Sequence, residues 1–557
     1  MEALDYHVEE RLQAEFNLEE MKIVWAGSRR TYEISDRMAR LVAIDPVFRK
    51  DNKTMLSRKD LFEDTLRKAA HAWKRITFVS LWWPGGLGNV STHAMVYARL
   101  ITGGQDHGVH GFIVRLRSLD DHSPLPGITI GDSGMKFGSG AYNSMDNGLL
   151  RFDHVRIPRN QILMRVSQVT REGKFLQSDV PRQLVYSTMV YIRQTIVSDA
   201  SCTLARAVCI ATRYSSVRRQ FGSQNGAPET QVIDYKTQQS RLFPLIASAY
   251  AFRFVGEWLK WLYTDVTQRL QANDFSTLPE DAIEECRKLC GGHGYLSTVA
   301  RFLMKTVSQL GSGNKLVGTT AYMGRAEHLA QCHYEVEMAQ DWLKPSVILE
   351  AFEARAVRMS IACAKSLGCA VATVEVDDVR MFDVLALSLC LSAGFADLSV
   401  DLLEAAIAHC QLIVVSKFIE KLQQDIPGKG VKRQMEILCN VYALHLLHKH
   451  LDNLSPPAAL PGSKVTSERT AAIVVFSVLI SFSSQVRPNA IALVDVFNYT
   501  EHYLGSVLGC YDGNVYQKLY QEAWKDPLND TVGWLPRVNS TNTEAAYSHS
   551  KTLDMPF

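Results

Sequence analysis

The hydrophobic spacing of this chain changes period twice, and that double switch constrains the fold more than any single residue does. Up to about residue 77 the pattern is helical. Ser57-Arg-Lys-Asp60 forms a capping-box-like start, and Phe62, Leu66, Ala69, Ala70 and Trp73 follow on one helix face. From about 78 to 175 the period falls to two. Ala94, Val96, Ala98 and Leu100 alternate with His93, Met95, Tyr97 and Arg99, and Phe112, Val114 and Leu116 alternate with Ile113, Arg115 and Arg117. Turn clusters at Gly103-Gly104, Pro124-Leu-Pro126-Gly127 and Asn147-Gly148 punctuate this stretch, which predicts an antiparallel β-domain. From about 180 helices return. Val185, Met189, Ile192, Ile196, Leu204 and Val208 mark one long helix with a cationic end at Arg218-Arg219. A second runs from about Asp234 to Leu270 with a bend at Pro244, and a third covers Ala282 to Leu289, ended by Gly291-Gly292. Further helices are expected at about 400–424, 430–451 and 488–508. Val371 to Val379 reads as strand-like. Ile473 to Ser484, rich in β-branched residues and Ser, reads as a local disruption of the helical region.

The chain has 557 residues, room for about two to four domains with full apolar cores. Lys and Arg number 60 against 58 Asp and Glu, so no global basic field points to nucleic acid or a membrane surface. The start, Met1-Glu-Ala-Leu-Asp-Tyr6, carries no cationic and apolar leader pattern, so no secretory signal is expected. The apolar run Ala471 to Phe482 is too short for a bilayer and Met381 to Leu398 contains Asp383 and Asp397, so no membrane span is expected. The 11 cysteines show no paired rhythm, which suits a reducing compartment.

Three clusters invite other chemistry. Cys286-x3-Cys290-x2-His293 offers three zinc-type ligands on a helix running into a turn, too few for a closed site, and no metal site is expected. His445, His448 and His450 beside Lys449 read as a solvated, dipole-favourable helix cap. Gly311-Ser-Gly313-Asn-Lys315 lacks the phosphate-loop spacing and reads as a flexible loop. Gly85-Gly86-x-Gly88 lacks the strand-turn-helix setting of a dinucleotide fingerprint.

The order of helices, antiparallel β-domain and helical bundle resembles the acyl-CoA dehydrogenases, and a further helical C-terminal domain resembles the acyl-CoA oxidases. The motifs are closer still. Trp82-Trp83-Pro84-Gly85-Gly86-Leu87-Gly88, Gly111-Phe-Ile-Val-Arg-Leu-Arg117, Gly138-Ser-Gly-Ala-Tyr-Asn-Ser-Met-Asp146 and Phe152-Asp-His-Val-Arg-Ile-Pro158 all resemble peroxisomal acyl-CoA oxidases of the plant type. So do Arg213-Tyr-Ser-Ser-Val-Arg-Arg-Gln-Phe-Gly222, Cys290-Gly-Gly-His-Gly-Tyr295, Arg487-Pro-Asn-Ala490 and Asp512-Gly-Asn514.

That resemblance implies a mainly α fold with a central antiparallel β-domain. Its expected divisions are a helical domain at 1–77, the β-domain at 78–175, a helical flavin-binding and dimerisation domain at 176–330, a C-terminal helical domain at 331–520 and a polar tail at 521–557. It implies FAD as cofactor, acyl-CoA and O2 as reactants, a homodimer, and a peroxisomal place, with the cytosol as alternative because Asp554-Met-Pro-Phe557 is not a Ser-Lys-Leu type address. Gly85 would let the isoalloxazine approach the β-domain. Arg219, Gln220 and Phe221 would reach across the dimer to the flavin's pyrophosphate and adenine, and Gly291 and Gly292 would let the AMP half approach bare backbone. Without Gly291-Gly292, Arg219 would read as a solvated cationic cap.

The pattern breaks at two places. The family's catalytic glutamate follows shortly after the Cys-Gly-Gly-His-Gly segment. Here Tyr295 runs through Leu296-Ser-Thr-Val-Ala300 into Arg301-Phe-Leu-Met-Lys305, and after Glu285 the next acidic residue is Glu327. A Thr-Glu-x-Gly loop is likewise missing before Trp82. Loss of whole segments near 296–300 and before 82 is expected, with weak turnover. Glu280, Glu284 and Glu285 lie on the helix before the flavin turn and are the glutamates that could stand in for the missing one. The readings left beside an active oxidase are a non-catalytic assembly partner of an oxidase and an acyl-CoA dehydrogenase.

Overall fold

The computed structural model describes residues 6–48, 63–64, 67, 89–132, 148–164, 167–177, 187–222, 229–271, 293–313, 315–332, 343–372, 398–450 and 463–525. Three helices open the chain: α1 (Val8–Leu12), α2 (Leu18–Ala26) and α3 (Arg29–Ile44). Asn17 caps α2 by accepting from the N–H groups of Glu19 and Glu20, and Ser28 caps α3 by accepting from Thr31. The Ser57 start and the face from Phe62 to Trp73 lie outside the described residues, although Glu63, Asp64 and Arg67 are helical.

The period-two stretch forms three antiparallel hairpins. β1 (His93–Thr102) pairs with β2 (Gln105–Arg115), β3 (Ile128–Asp132) with β4 (Gly148–Phe152), and β5 (Ser167–Val169) with β6 (Phe175–Gln177). Gly103 and Gly104 join β1 to β2 at φ +56° and +80°, the left-handed pair a tight hairpin needs. The register sets Ala94 opposite Val114 and Val96 opposite Phe112, so the expected inward residues meet around a small core of Val114, Leu116 and Ile128. Two details differ from the alternation. Ala98 is exposed, and Arg117 is buried with its guanidinium donating to the Ser91 carbonyl. β2 ends at Arg115, so the strand no longer sets the direction of Arg117.

Among the described residues beyond these hairpins, the regular structure is helical apart from one ribbon. α4 (Ser187–Val217) leads into β7 (Arg219–Gly222) and β8 (Glu229–Gln231), followed by α5 (Lys236–Gln271) and α6 (His293–Gly311). A 3-10 turn at Gly318–Arg325 precedes α7 (Ala326–Gln331), α8 (Pro345–Ala372), α9 (Ser399–Gln423), α10 (Lys429–Lys449) and α11 (Ser463–Val486). α12 (Ala490–Asp495), α13 (Glu501–Leu504) and α14 (Val515–Ala523) close the described chain. α5 is the central column, packed by α4, α9, α10 and α11; Phe243, Ile246, Ala247, Tyr250 and Phe254 bury one face, and Leu242, Ala249, Ala251, Val255 and Leu259 bury the others. It runs unbroken through Pro244. α4 approaches it so closely at Gly256 that a Cβ there would lie 2.4 Å from Ser198 Oγ. By length and composition Gln194–Val217 and Val400–Gln423 could cross a bilayer; here the first packs on α5 and the second is largely core, with Leu402, Ala405, Leu412 and Phe418 buried.

Two sequence expectations fail in the C-terminal region. Residues 473–484 are helical, inside α11, because Val475, Val478, Leu479, Phe482 and Val486 form a buried stripe at helical spacing; packing overrides β-propensity. The single helix expected at 488–508 is instead α12, α13 and a 3-10 turn, interrupted where Asn498 (φ +54°) and Gly505 (φ +60°) take left-handed backbone. Val371 is helical within α8, and 373–397 lie outside the described residues.

One buried ion pair locks the C-terminal turn of α4. Arg213 donates from Nη2 (2.7 Å) and Nε (3.1 Å) to Asp495 Oδ1 and from Nη1 to the Gly509 carbonyl (2.7 Å), while Arg11 Nε reaches Asp495 Oδ2 at 2.7 Å. Burial would lower the Arg213 pKa, yet the charge and hydrogen bonds of Asp495 help hold it above its ordinary value. Asp495→Ala should therefore cost about 3–5 kcal/mol by stranding a buried guanidinium. A thermal unfolding midpoint equal to wild type would contradict this.

Candidate functional site

The backbone leaves α4 at Val217 and enters the β7–β8 ribbon at once. Arg219 pairs with Gln231, Gln220 with Thr230 and Gly222 with Glu229, with a bulge at Phe221. Arg219, expected on a helix end, is thus on a strand: the last helical turn closes at Arg218, whose N–H donates to the Tyr214 carbonyl at 2.8 Å, and Val232 N–H bonds the Arg218 carbonyl at 2.8 Å to start the ribbon. Turn residues in Gly222-Ser-Gln-Asn-Gly226-Ala-Pro228 were the signal for a hairpin here.

Phe221 carries the strain of the site. Its φ is +58°, in the left-handed region, and its ring is 70% exposed. An aromatic side chain held out of the core on unfavourable backbone costs about 1–3 kcal/mol, which the surrounding contacts must offset. Beside it, Arg219 is exposed and makes one side-chain hydrogen bond among the described residues, Nη1 to the Glu229 carbonyl at 2.9 Å. The Gln220 carbonyl accepts from Tyr235 Oη at 2.6 Å, which pins the bulge to the chain leading into α5. Arg218 donates to Tyr516 Oη at 3.4 Å, and that contact raises the Arg218 pKa.

A polar layer beneath the ribbon fixes its position. Gln231 Nε2 donates to the Ser216 carbonyl (2.7 Å) and to Glu10 (3.2 Å). Arg487 donates from Nη1 to Glu10 (2.7 Å), from Nη2 to Gln231 Oε1 (2.8 Å) and from Nε to Asp234 (2.5 Å). Burial would lower the Arg487 pKa, and its bonds to Glu10 and Asp234 more than offset this. Asn489 accepts from Glu15 N–H at 2.7 Å, and Gly513, at φ +69°, lies so near Tyr6, His7 and Val217 that a side chain would not fit. The Arg487-Pro-Asn and Asp512-Gly-Asn motifs are therefore struts behind the ribbon, a role their spacing in sequence did not disclose.

The donor set suits a dinucleotide: a guanidinium with unused N–H groups can fork onto a pyrophosphate, and an exposed ring can pack on a flat base. Gly85, Gly291 and Gly292 lie outside the described residues, so the ribbon is the part of the expected site that is described. Glu280, Glu284, Glu285, Cys286 and Cys290 lie outside them too. His293 begins α6, and that helix runs through Leu296–Ala300 to Gly311 without an acidic residue. A separate cavity of about 410 Å³ opens on the β-hairpins, lined by Arg99, Asp106, His107, His110, Ser167 and Phe175; of the described site residues, Arg219, Gln220 and Phe221 do not line it.

His445, His448 and His450 do not form the solvated cap expected of them. Burial lowers the pKa of His445 and His450, and His448 Nδ1 and His450 Nε2 are buried with no hydrogen-bond partner among the described residues. The end of α10 packs near buried Arg355, and burial disfavours the charge that an exposed cap would keep.

The fold and the ribbon define a class, and comparison with known proteins agrees. Residues 17–114 match the acyl-coenzyme A oxidase N-terminal family, 186–281 the acyl-CoA oxidase C-alpha1 domain, and 344–538 the acyl-CoA oxidase family. Peroxisomal acyl-coenzyme A oxidase 1 of Arabidopsis thaliana is 54% identical over 668 residues, covering 96% of this chain and 97% of the relative. The chain belongs to the acyl-CoA oxidase family. A crystal structure of an acyl-CoA oxidase from Lycopersicon esculentum (tomato) superposes with TM-score 0.83 at 52% identity, covering 96% of this chain and 99% of that one. The Caenorhabditis elegans acyl-CoA oxidase-1, complexed with FAD and ATP, shares the fold at TM-score 0.80 and 23% identity, over 99% of this chain and 98% of that one. The Arabidopsis alignment spans 668 positions against 557 residues here, so internal segments of that relative have no counterpart in this chain.

The strain at Phe221 predicts a split between two substitutions. Phe221→Gly should leave the thermal midpoint unchanged or raise it by the equivalent of about 1 kcal/mol, while Phe221→Val should lower it. Equal midpoints for both variants would remove the case for strain.

Proposed function

We propose that this chain is a FAD-dependent acyl-CoA oxidase of peroxisomal β-oxidation that works as a homodimer. In this reading the β7–β8 ribbon of one subunit holds the dinucleotide end of the cofactor bound mainly by the other. The observation that carries it is the pairing of exposed Arg219 with strained, exposed Phe221 on a ribbon braced from behind, next to family membership along nearly the whole chain. Bound FAD would accept a hydride from the acyl β-carbon and pass its electrons to O2. Arg219 would neutralise the pyrophosphate, Phe221 would cover the adenine, and Gln220 would hold the bulge through its carbonyl bond to Tyr235. Gly85, Gly291 and Gly292 would complete the pocket as positions of close backbone approach.

The weak point of this chain is removal of the α-proton. Between Glu285 and Glu327 there is no carboxylate, and α6 continues through the stretch where the family's glutamate would follow Tyr295. A positioned base contributes about 10²–10⁴-fold, so peroxide formation from an acyl-CoA panel should be about 10³-fold slower than with the tomato relative. No observation favours the assembly-partner reading or the dehydrogenase.

Reconstitution tests the proposal directly. Purified protein incubated with FAD and desalted should keep an oxidised-flavin visible spectrum, and Arg219→Ala should weaken FAD binding by about tenfold or more. Failure to retain flavin would sink the reading. Peroxide formation at the tomato enzyme's rate would instead refute the missing-base argument alone.

A further inference from the structure

Away from the ribbon, α7 and α8 bring together three donors of different kinds. His328 and Cys332 are four residues apart, His328 in α7 and Cys332 at its C-cap, so they share one face; Glu350 comes from the first turns of α8. Their ligating atoms lie within 4.8 Å of one another. His328 Nε2 is 3.0 Å from Glu350 Oε1 and 3.5 Å from Cys332 Sγ, and the sulfur is 4.0 Å from Glu350 Oε1. A tetrahedral zinc-class ion, with bonds of about 2.3 Å to sulfur and 2.0–2.2 Å to nitrogen and oxygen, sets its donors about 3.3–3.5 Å apart. The triangle is one face of such a site, with a single edge to close by a small torsion of Cys332 or Glu350.

The backbone that presents the thiolate donor is fixed. Arg358 donates from Nε to the Ala330 carbonyl (3.3 Å) and from Nη2 to the Cys332 carbonyl, holding the end of α7 against α8. Arg325 is engaged by Glu353, which keeps that cation paired next to the cluster. The His328 side chain is 64% exposed and that of Glu350 33%, so one side of the triangle faces water. In the sequence this cluster is signalled only by the His328-x3-Cys332 spacing at helical pitch.

We propose that His328, Cys332 and Glu350 bind one zinc-class divalent metal ion, with water completing the tetrahedron. The ion stitches α7 to α8 independently of flavin or substrate. The mixed nitrogen, sulfur and carboxylate set selects a borderline-soft metal over calcium or magnesium. On binding, the Cys332 thiol gives its proton to solvent as the sulfur–metal bond forms, with no change in oxidation state. Burial and the nearby Glu350 raise the pKa of that thiol, so the metal must supply the driving force for its ionisation.

Cobalt(II) is the probe. Reduced, chelator-stripped full-length protein titrated with Co²⁺ should show tetrahedral visible bands and a thiolate-to-cobalt charge-transfer band saturating at one equivalent, discharged by Zn²⁺. Cys332→Ser should abolish the charge-transfer band, and His328→Ala or Glu350→Gln should weaken binding at least about tenfold. The Cys286→Ser/Cys290→Ser double variant should keep the signal. A second readout needs no variant: one equivalent of Zn²⁺ should slow alkylation of Cys332, read by peptide mass spectrometry. No charge-transfer band in wild type, a band that survives Cys332→Ser, or unprotected Cys332 would each overturn the site.

Discussion

The Arg213–Asp495 pair is the constraint on which the rest of the described helical structure leans. Both side chains are almost fully buried, and taking two charges out of water is tolerable only when every strong donor and acceptor is met. Here Asp495 receives Arg213 on one oxygen and Arg11 on the other, while Arg213 also satisfies the Gly509 carbonyl. Arg11 in turn lies over the Tyr511 ring at 3.5 Å and donates to the Tyr511 carbonyl. Three parts of the chain remote in sequence, α1, α4 and the stretch from the end of α12 to Tyr511, are thereby tied at one point. The neighbouring Cys209, its thiol pushed up to about 12 chiefly by burial, is a neutral packing group in that environment.

From that point the order propagates outward to the ribbon. His7 bonds Ser216 Oγ and the carbonyls of Tyr511 and Arg213, which fixes the last turn of α4. Gln231 then joins the Ser216 carbonyl to Glu10, and Arg487 joins Glu10 to Asp234. The bulge at Phe221 is held from below by these contacts and from the side by Tyr235. Backbone strain persists only where surroundings over-determine it, and this layered network is what over-determines Phe221. Binding residues displayed on a braced hairpin lose little order when they meet a ligand.

Much of the fold was legible because hydrophobic period reports secondary structure wherever one face is buried. The β1–β2 pairing and the long helices α4, α5, α9 and α10 lie where the sequence puts them, although Ile196, read on the apolar face of α4, and Ala98 of β1 are exposed. The failures share a cause. Ile473 to Ser484 has strand-like composition, and only the stripe of buried contacts along α11 makes it helical. The His445–His450 group looked like a solvated cap because sequence does not show that Arg355 lies buried against it. Of the candidate site, Arg219, Gln220 and Phe221 were chosen by resemblance. Their placement on a strand, and the left-handed φ of Phe221, were not readable from residue types that rarely adopt that backbone.

By itself the amino-acid sequence determined the order of helical and period-two segments, the absence of any acidic residue between Glu285 and Glu327, and the family likeness carried by its motifs. Those are properties of local spacing and residue identity, and they need no knowledge of neighbours. Only the tertiary structure decided what Arg213, Arg487 and Asn489 are for, since their partners Asp495, Glu10 and Glu15 lie hundreds of positions away. It alone also brought Glu350 to His328 and Cys332. Charge pairing and metal geometry act through space at about 3 Å, and a linear sequence records residue types without recording which of them close to that distance.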